Sequence, residues 1–236
     1  MFYFDYTYII FMIPCIIITL ICQVRVKTAF SKYGKVPNSR GMTGAQAAEY
    51  VLRQNGVTNV RIEHVQGSLT DHYDPRTNVI RLSDTVYNVN SVAAVGVAAH
   101  EAGHAVQTAK NYLPNKLRGA ILPVARIGSS ISWILIILGF MFAYRSSTPN
   151  SVGLYLLYAG IILFSASVLF TVITLPVEFD ASRRALKCIR ENSLLREDEY
   201  KGAKSVLTAA AMTYVASALV AIMQLLRLLL LARRRN

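Results

Sequence analysis

Four long apolar runs, at residues 2–24, 121–144, 151–175 and 206–231, restrict the folds open to this chain more than any other feature. About 20 apolar residues in a helix cross the roughly 30 Å hydrocarbon core of a bilayer, and only helices or closed barrels satisfy their backbone polar groups there. Runs of this length predict membrane helices. The composition agrees, because 53% hydrophobic and 16% charged residues lie outside the range of an ordinary soluble enzyme.

Charge orients the runs. A cleaved signal peptide would carry positive charge ahead of its apolar stretch and small residues after it. Here Asp5 comes first, and Arg25, Lys27, Lys32 and Lys35 follow the run. This places the amino terminus outside and the following chain in the cytoplasm. The runs at 121–144 and 151–175, separated by Arg145-Ser146-Ser147-Thr148-Pro149-Asn150, form a hairpin that returns Pro176 to Lys204 to the cytoplasmic side. Arg183, Arg184, Lys187, Arg190, Arg196, Lys201 and Lys204 fit that side. The last run is ambiguous: a full crossing leaves Arg233, Arg234 and Arg235 outside and puts Arg227 within the span. Alternatively, Ala209 to Ala221 packs in the polar domain and Leu225 to Leu231 lies along the membrane surface. The reading therefore has three firm spans and an open fourth. The net charge of +12 falls mainly at juxtamembrane positions, so the lipid bilayer accounts for it and no nucleic-acid partner is called for. Cys15, Cys22 and Cys188 form neither a disulfide framework nor a metal-binding pair, and a reducing compartment suits all three.

Residues 25–120 are patterned like a globular domain. Thr43 caps a helix over Gly44 to Gln54, with Ala47, Ala48, Val51 and Leu52 on one face and Gly56 beyond its end. Val57 to Val65 and Val79 to Leu82 alternate apolar and polar residues, with Asp74-Pro75-Arg76-Thr77-Asn78 as turn material between them, which predicts a small sheet. Ser91 caps a further helix from Val92 to about Ala109.

That helix carries His100-Glu101-Ala102-Gly103-His104, an H-E-x-x-H sequence. Imidazoles at i and i+4 stand one turn apart on one face, where both can reach one metal ion, and the glutamate between them can polarise a water activated by that metal. A random shuffle of this composition yields the pattern about 0.002 times per chain, so chance explains it poorly. Two core histidines satisfied by backbone partners are the bland alternative. The motif points to a zinc hydrolase, with His100 and His104 as ligands and Glu101 as general base.

A catalytic zinc site takes a third protein ligand and keeps one position open. Lys110 stands where the extended H-E-x-x-H-x-x-G-x-x-H pattern has its histidine, and no histidine follows His104. His64 and His72 are upstream alternatives. Downstream, Glu178 stands between Val177 and Phe179 just after Pro176, where the sequence predicts the start of a helix at the hairpin's return. Helix-dipole stabilisation is its ordinary explanation, but an acid so flanked is the best ligand candidate. Glu191, Glu197, Asp198 and Glu199 read as exposed surface.

At these residues the chain resembles the neutral zinc metallopeptidases of bacterial membranes, the YugP-like family. The resemblance spans the amino-terminal run, Leu69-Thr70-Asp71-His72-Tyr73-Asp74-Pro75, the His100 to His104 core, Leu175-Pro176-Val177-Glu178-Phe179-Asp180-Ala181-Ser182 and the Leu-rich basic tail. The layout is also similar to the HtpX and CAAX prenyl protease branch, in which a membrane hairpin separates the histidines from a glutamate ligand. That similarity implies a gluzincin-type peptidase with a cytoplasmic active site. The same branch has an aspartate four residues after its glutamate, where this chain has Ser182.

The expected architecture is an integral membrane α-helical protein with a cytoplasmic α+β zincin-like metallopeptidase domain. Its parts are a transmembrane helix at 1–24, the domain at 25–120, a transmembrane hairpin at 121–175, a cytoplasmic helix with the third ligand at 176–205, and an apolar helix with a basic tail at 206–236. The expected activity is zinc-dependent cleavage of membrane or membrane-proximal polypeptides at the cell membrane of a bacterium. Substrate would add as a strand to a sheet edge, with Val79 to Leu82 as the candidate edge, and His72, Tyr73 or Tyr214 are candidates for stabilising the oxyanion. The competing readings are a non-proteolytic zinc-binding membrane scaffold and a site-2-type intramembrane protease. The latter is disfavoured because no Asp-Gly pair occurs in the chain.

Overall fold

Small residues decide how the helices of this chain meet. In the computed structural model, which describes residues 6–145 and 152–233, six helices and three strands follow one another. They are α1 (Tyr6–Tyr33), α2 (Gly44–Gln54), β1 (Arg61–Val65), β2 (His72–Asp74), β3 (Val79–Ser83), α3 (Val92–Ala109), α4 (Leu113–Arg145), α5 (Val152–Glu191) and α6 (Glu197–Arg233). Asp5, the loop at 146–150, Arg234 and Arg235, all used above to orient the chain, lie outside the described residues. Four helices, α1, α4, α5 and α6, are long and apolar enough to cross a membrane.

The chain divides into two units. The first takes the chain up to Leu20, Leu117–Leu175 and the chain from Tyr214 onward. Within it, α4 and α5 approach closely: a methyl on Gly139 would meet the Leu157 backbone at 2.6 Å, and one on Gly160 would meet Ser132 O at 2.9 Å. In lipid, where apolar side chains gain nothing by leaving their surroundings, such small-residue contacts are what brings helices together. Ile136, Leu157, Ile161, Phe164, Val168 and Leu228 form the core of this unit. Arg227 lies over the Tyr8 ring at 5.0 Å, so the cation that argued against a crossing by α6 has an aromatic neighbour. The helix itself runs unbroken from Glu197 to Arg233.

The second unit takes Ile21–Lys116 and Pro176–Thr213. Its core is built around α3, of which Ala98, Ala99, Ala102 and Val106 are fully buried. The caps read from the sequence are present. Thr43 and Gln46 make a reciprocal capping box at α2, and Ser91 Oγ accepts from Ala94 N at 3.1 Å at α3. The sheet has the order β1-β3-β2, with β1 parallel and β2 antiparallel to β3. This overturns the expectation that Val79 to Leu82 is an edge. β3 is the central strand, with Val79, Ile80, Leu82 and Ser83 all buried, and the edges are β1 and β2. The turn at Asp74 to Asn78 is as expected: Asp74 accepts from Arg76 N at 2.9 Å and Thr77 Oγ1 at 2.8 Å, and Asn78 takes a left-handed φ of 55°.

A second correction concerns Glu178. α5 does not begin after Pro176 but continues through it as one 40-residue helix. Glu178 therefore stands in a helix interior, and stabilisation of a helix start no longer explains it.

Candidate metal centre

α3 and α5 meet with almost nothing between their backbones. A methyl on Gly103 would come within 2.7 Å of Ala181 O, so only glycine at the fourth position of the motif allows this approach. The closeness sets the geometry of three side chains. On α3, the His100 and His104 rings are 4.6 Å apart at 82° to one another, with their Nε2 atoms separated by 3.1 Å. From α5, Glu178 Oε2 reaches 3.4 Å from His100 Nε2 and 3.5 Å from His104 Nε2. The three donor atoms lie within 4.8 Å of one another, and Glu178 is only 2% exposed.

The outward-facing ring nitrogens have their own partners. Ser182 Oγ is 3.1 Å from His100 Nδ1, and Gln107 Oε1 is 3.1 Å from His104 Nδ1. Such contacts fix ring orientation and leave Nε2 of each imidazole turned toward Glu178. Ser182, four residues after Glu178, is thus the side chain that faces His100 Nδ1. Gln107, fully buried, also donates to Val177 O at 2.8 Å and Asp180 Oδ2 at 2.9 Å. Arg184 Nε reaches the same Asp180 oxygen at 2.6 Å. A chain of polar groups thereby runs from His104 through Gln107 and Asp180 to Arg184. The sequence reading missed Gln107, although it stands one turn beyond His104 on the same helix, and a polar residue among buried alanines was the available signal.

The electrostatics favour a cation. Burial opposes charging of the His104 ring, yet its hydrogen bond to Glu178 and the charges of Glu101 and Glu178 outweigh this and raise its pKa above the ordinary histidine value. A field that draws a proton to this point also draws a metal ion. Two imidazole nitrogens and one carboxylate oxygen are the donor set of catalytic zinc sites that keep a position open, so these residues fit the ion. Glu101, partly exposed, adjoins His100 on α3.

A family described as "Putative neutral zinc metallopeptidase" matches residues 8–233. The chain belongs to this family. It is also 46% identical over 209 residues, 89% of each chain, to a Bacillus subtilis (strain 168) protein named "Putative membrane protease YugP". No solved structure matches it. The family and the relative give a membrane-associated zinc protease as the broad class, and the His100, His104 and Glu178 group, whose glutamate is buried, is a donor set that fits zinc.

The other candidates lie elsewhere. His64 pairs with Asp84 at 2.6 Å, and His72, exposed on β2, has Nδ1 2.8 Å from Thr70 O, so neither joins the metal group. Tyr73 Oη donates to Asn78 Oδ1 at 2.7 Å, within the hairpin. Tyr214, 37% exposed, sits on the part of α6 that belongs to the first unit.

Proposed function

We propose that the chain is a multi-pass zinc metalloendopeptidase of the cell membrane that cleaves membrane or membrane-proximal polypeptides, with its active site facing the cytoplasm. The observation that carries this reading is the convergence of His100, His104 and Glu178, from two helices far apart in sequence, on a space that takes one ion. His100, His104 and Glu178 hold zinc. When bound, the ion acts as a Lewis acid, polarising a scissile carbonyl and bringing the pKa of water toward about 7.

The residues of the chain do the rest. Glu101 takes the proton of the attacking water on a carboxylate oxygen and passes it to the departing amine nitrogen. Ser182 and Gln107 hold the two rings in orientation. With β3 enclosed, the substrate strand adds instead to β2, an edge that packs against α3, where His72 and Tyr73 are placed to touch it. The cytoplasmic orientation rests on Arg25, Lys27, Lys32 and Lys35 after the first apolar run and on the basic residues between Arg183 and Lys204.

The test pairs metal analysis with proteolysis of casein by the purified full chain. Glu101→Gln is expected to keep zinc and lose cleavage, and Glu178→Ala to lose both. Zinc bound to the wild type without cleavage of casein or of the chain itself would favour the scaffold reading, and cleavage retained by Glu101→Gln would remove that residue as the base.

A further inference from the structure

In the second unit, α1 and α6 enclose a groove of about 620 Å³ apart from the metal group. Arg25 and Lys32 of α1 and Lys201 and Lys204 of α6 line it, and no acidic side chain does. Among the described residues none of these four cations is in an ion pair with a carboxylate; Lys32 lies 5.2 Å from the Tyr33 ring centroid. Four like charges around one groove repel one another, a cost that a bound anion removes. The same groove has an apolar part, with Val24, 63% exposed, and Met212, 41% exposed, among its lining.

The sequence positions of these residues identify the anion. In α1 the apolar run ends at Val24 and the first cation is Arg25. In α6 Lys201 and Lys204 come just before the apolar run that starts at 206. Both walls of the groove therefore change from apolar to basic at the same place, the depth at which a phospholipid changes from acyl chain to phosphate. Basic pockets beside membrane helices recognise anionic head groups in this way. We propose that the groove binds an anionic phospholipid, its phosphate between Arg25, Lys32, Lys201 and Lys204 and its acyl end along Val24 and Met212. The site rests on α1 and α6 being membrane crossings and is independent of the peptidase reading.

The experiment is native mass spectrometry of the detergent-solubilised full chain titrated with phosphatidylglycerol or phosphatidylcholine. The wild type is expected to retain phosphatidylglycerol preferentially. Lys201→Gln with Lys204→Gln should weaken its retention roughly tenfold or more, whereas Lys201→Arg with Lys204→Arg keeps it. The comparison pair Lys27→Gln with Lys35→Gln removes the same amount of charge, from the basic end of α1 and the residues just after it, outside the groove, and should leave retention unchanged. Equal loss in both glutamine pairs would mean a diffuse basic surface and overturn the proposal, as would equal retention of both lipids. Displacement of phosphatidylglycerol by millimolar inorganic phosphate would mark a site for a soluble anion and overturn it too. A chain that extracts without detergent would show instead that α1 and α6 are not crossings.

Discussion

Gln107 uses both ends of its amide, one toward His104 Nδ1 and the other toward Val177 O and Asp180. Truncating it releases the ring and leaves two buried acceptors short of a donor, at about 1–3 kcal/mol. Gln107→Ala is therefore expected to weaken zinc binding about 10–100-fold, read by competition with a chelator, and to lower the unfolding temperature. Ser182→Ala removes a contact to His100 alone and should affect metal affinity with less loss of stability. Equal unfolding temperatures for the two variants would contradict the wider role given to Gln107. The asymmetry has a chemical basis: a serine hydroxyl brings no charge to His100, whereas His104 is linked through Gln107 to the carboxylate of Asp180, itself held by Arg184.

At the scale of elements, the α3–α5 contact is the most sensitive point. Gly103→Ala puts a methyl 2.7 Å from Ala181 O, and a backbone oxygen cannot rotate away as a flexible side chain can. The helices must separate, at about 1–3 kcal/mol, and Glu178 draws back from the histidines. Both a lower melting temperature in detergent and weaker zinc retention are expected, and a variant with unchanged metal content would show that the spacing is not critical. Glycine at position 103 was visible in the sequence, but its reason was not, because Ala181 lies on another helix far along the chain. The same limit explains the other differences. The limits of α2 and α3 and the hairpin turn were legible because caps and turn residues act locally. The place of β3 between two neighbours depends on β1, and on a three-residue β2 too short to leave a pattern. The run through Pro176 escaped notice because proline usually marks a helix start, and here neighbouring turns maintain the helix across it.

For the whole molecule, the count of crossings fixes the relation of the two ends. Were α1, α4, α5 and α6, each long and apolar enough to cross a membrane, all to span it, the number would be even and both termini would emerge on one side. Reporters fused ahead of Met1 and after Asn236 should then give the same sidedness, and opposite signals would mean that one helix, most simply α6, stays on the surface. That arrangement would set Arg233 against the usual charge bias, while Arg227, inside the last apolar run, has the Tyr8 ring 5.0 Å away. His104 and Glu178 are separated in the chain by α4 and the apolar part of α5. A ribosome making this protein releases the histidine pair early and the glutamate only after both intervening helices have emerged for delivery to the bilayer. A nascent chain stalled before that point has two of the three side chains that could hold a metal ion and lacks the third, so the group can be completed only once both helices have been made.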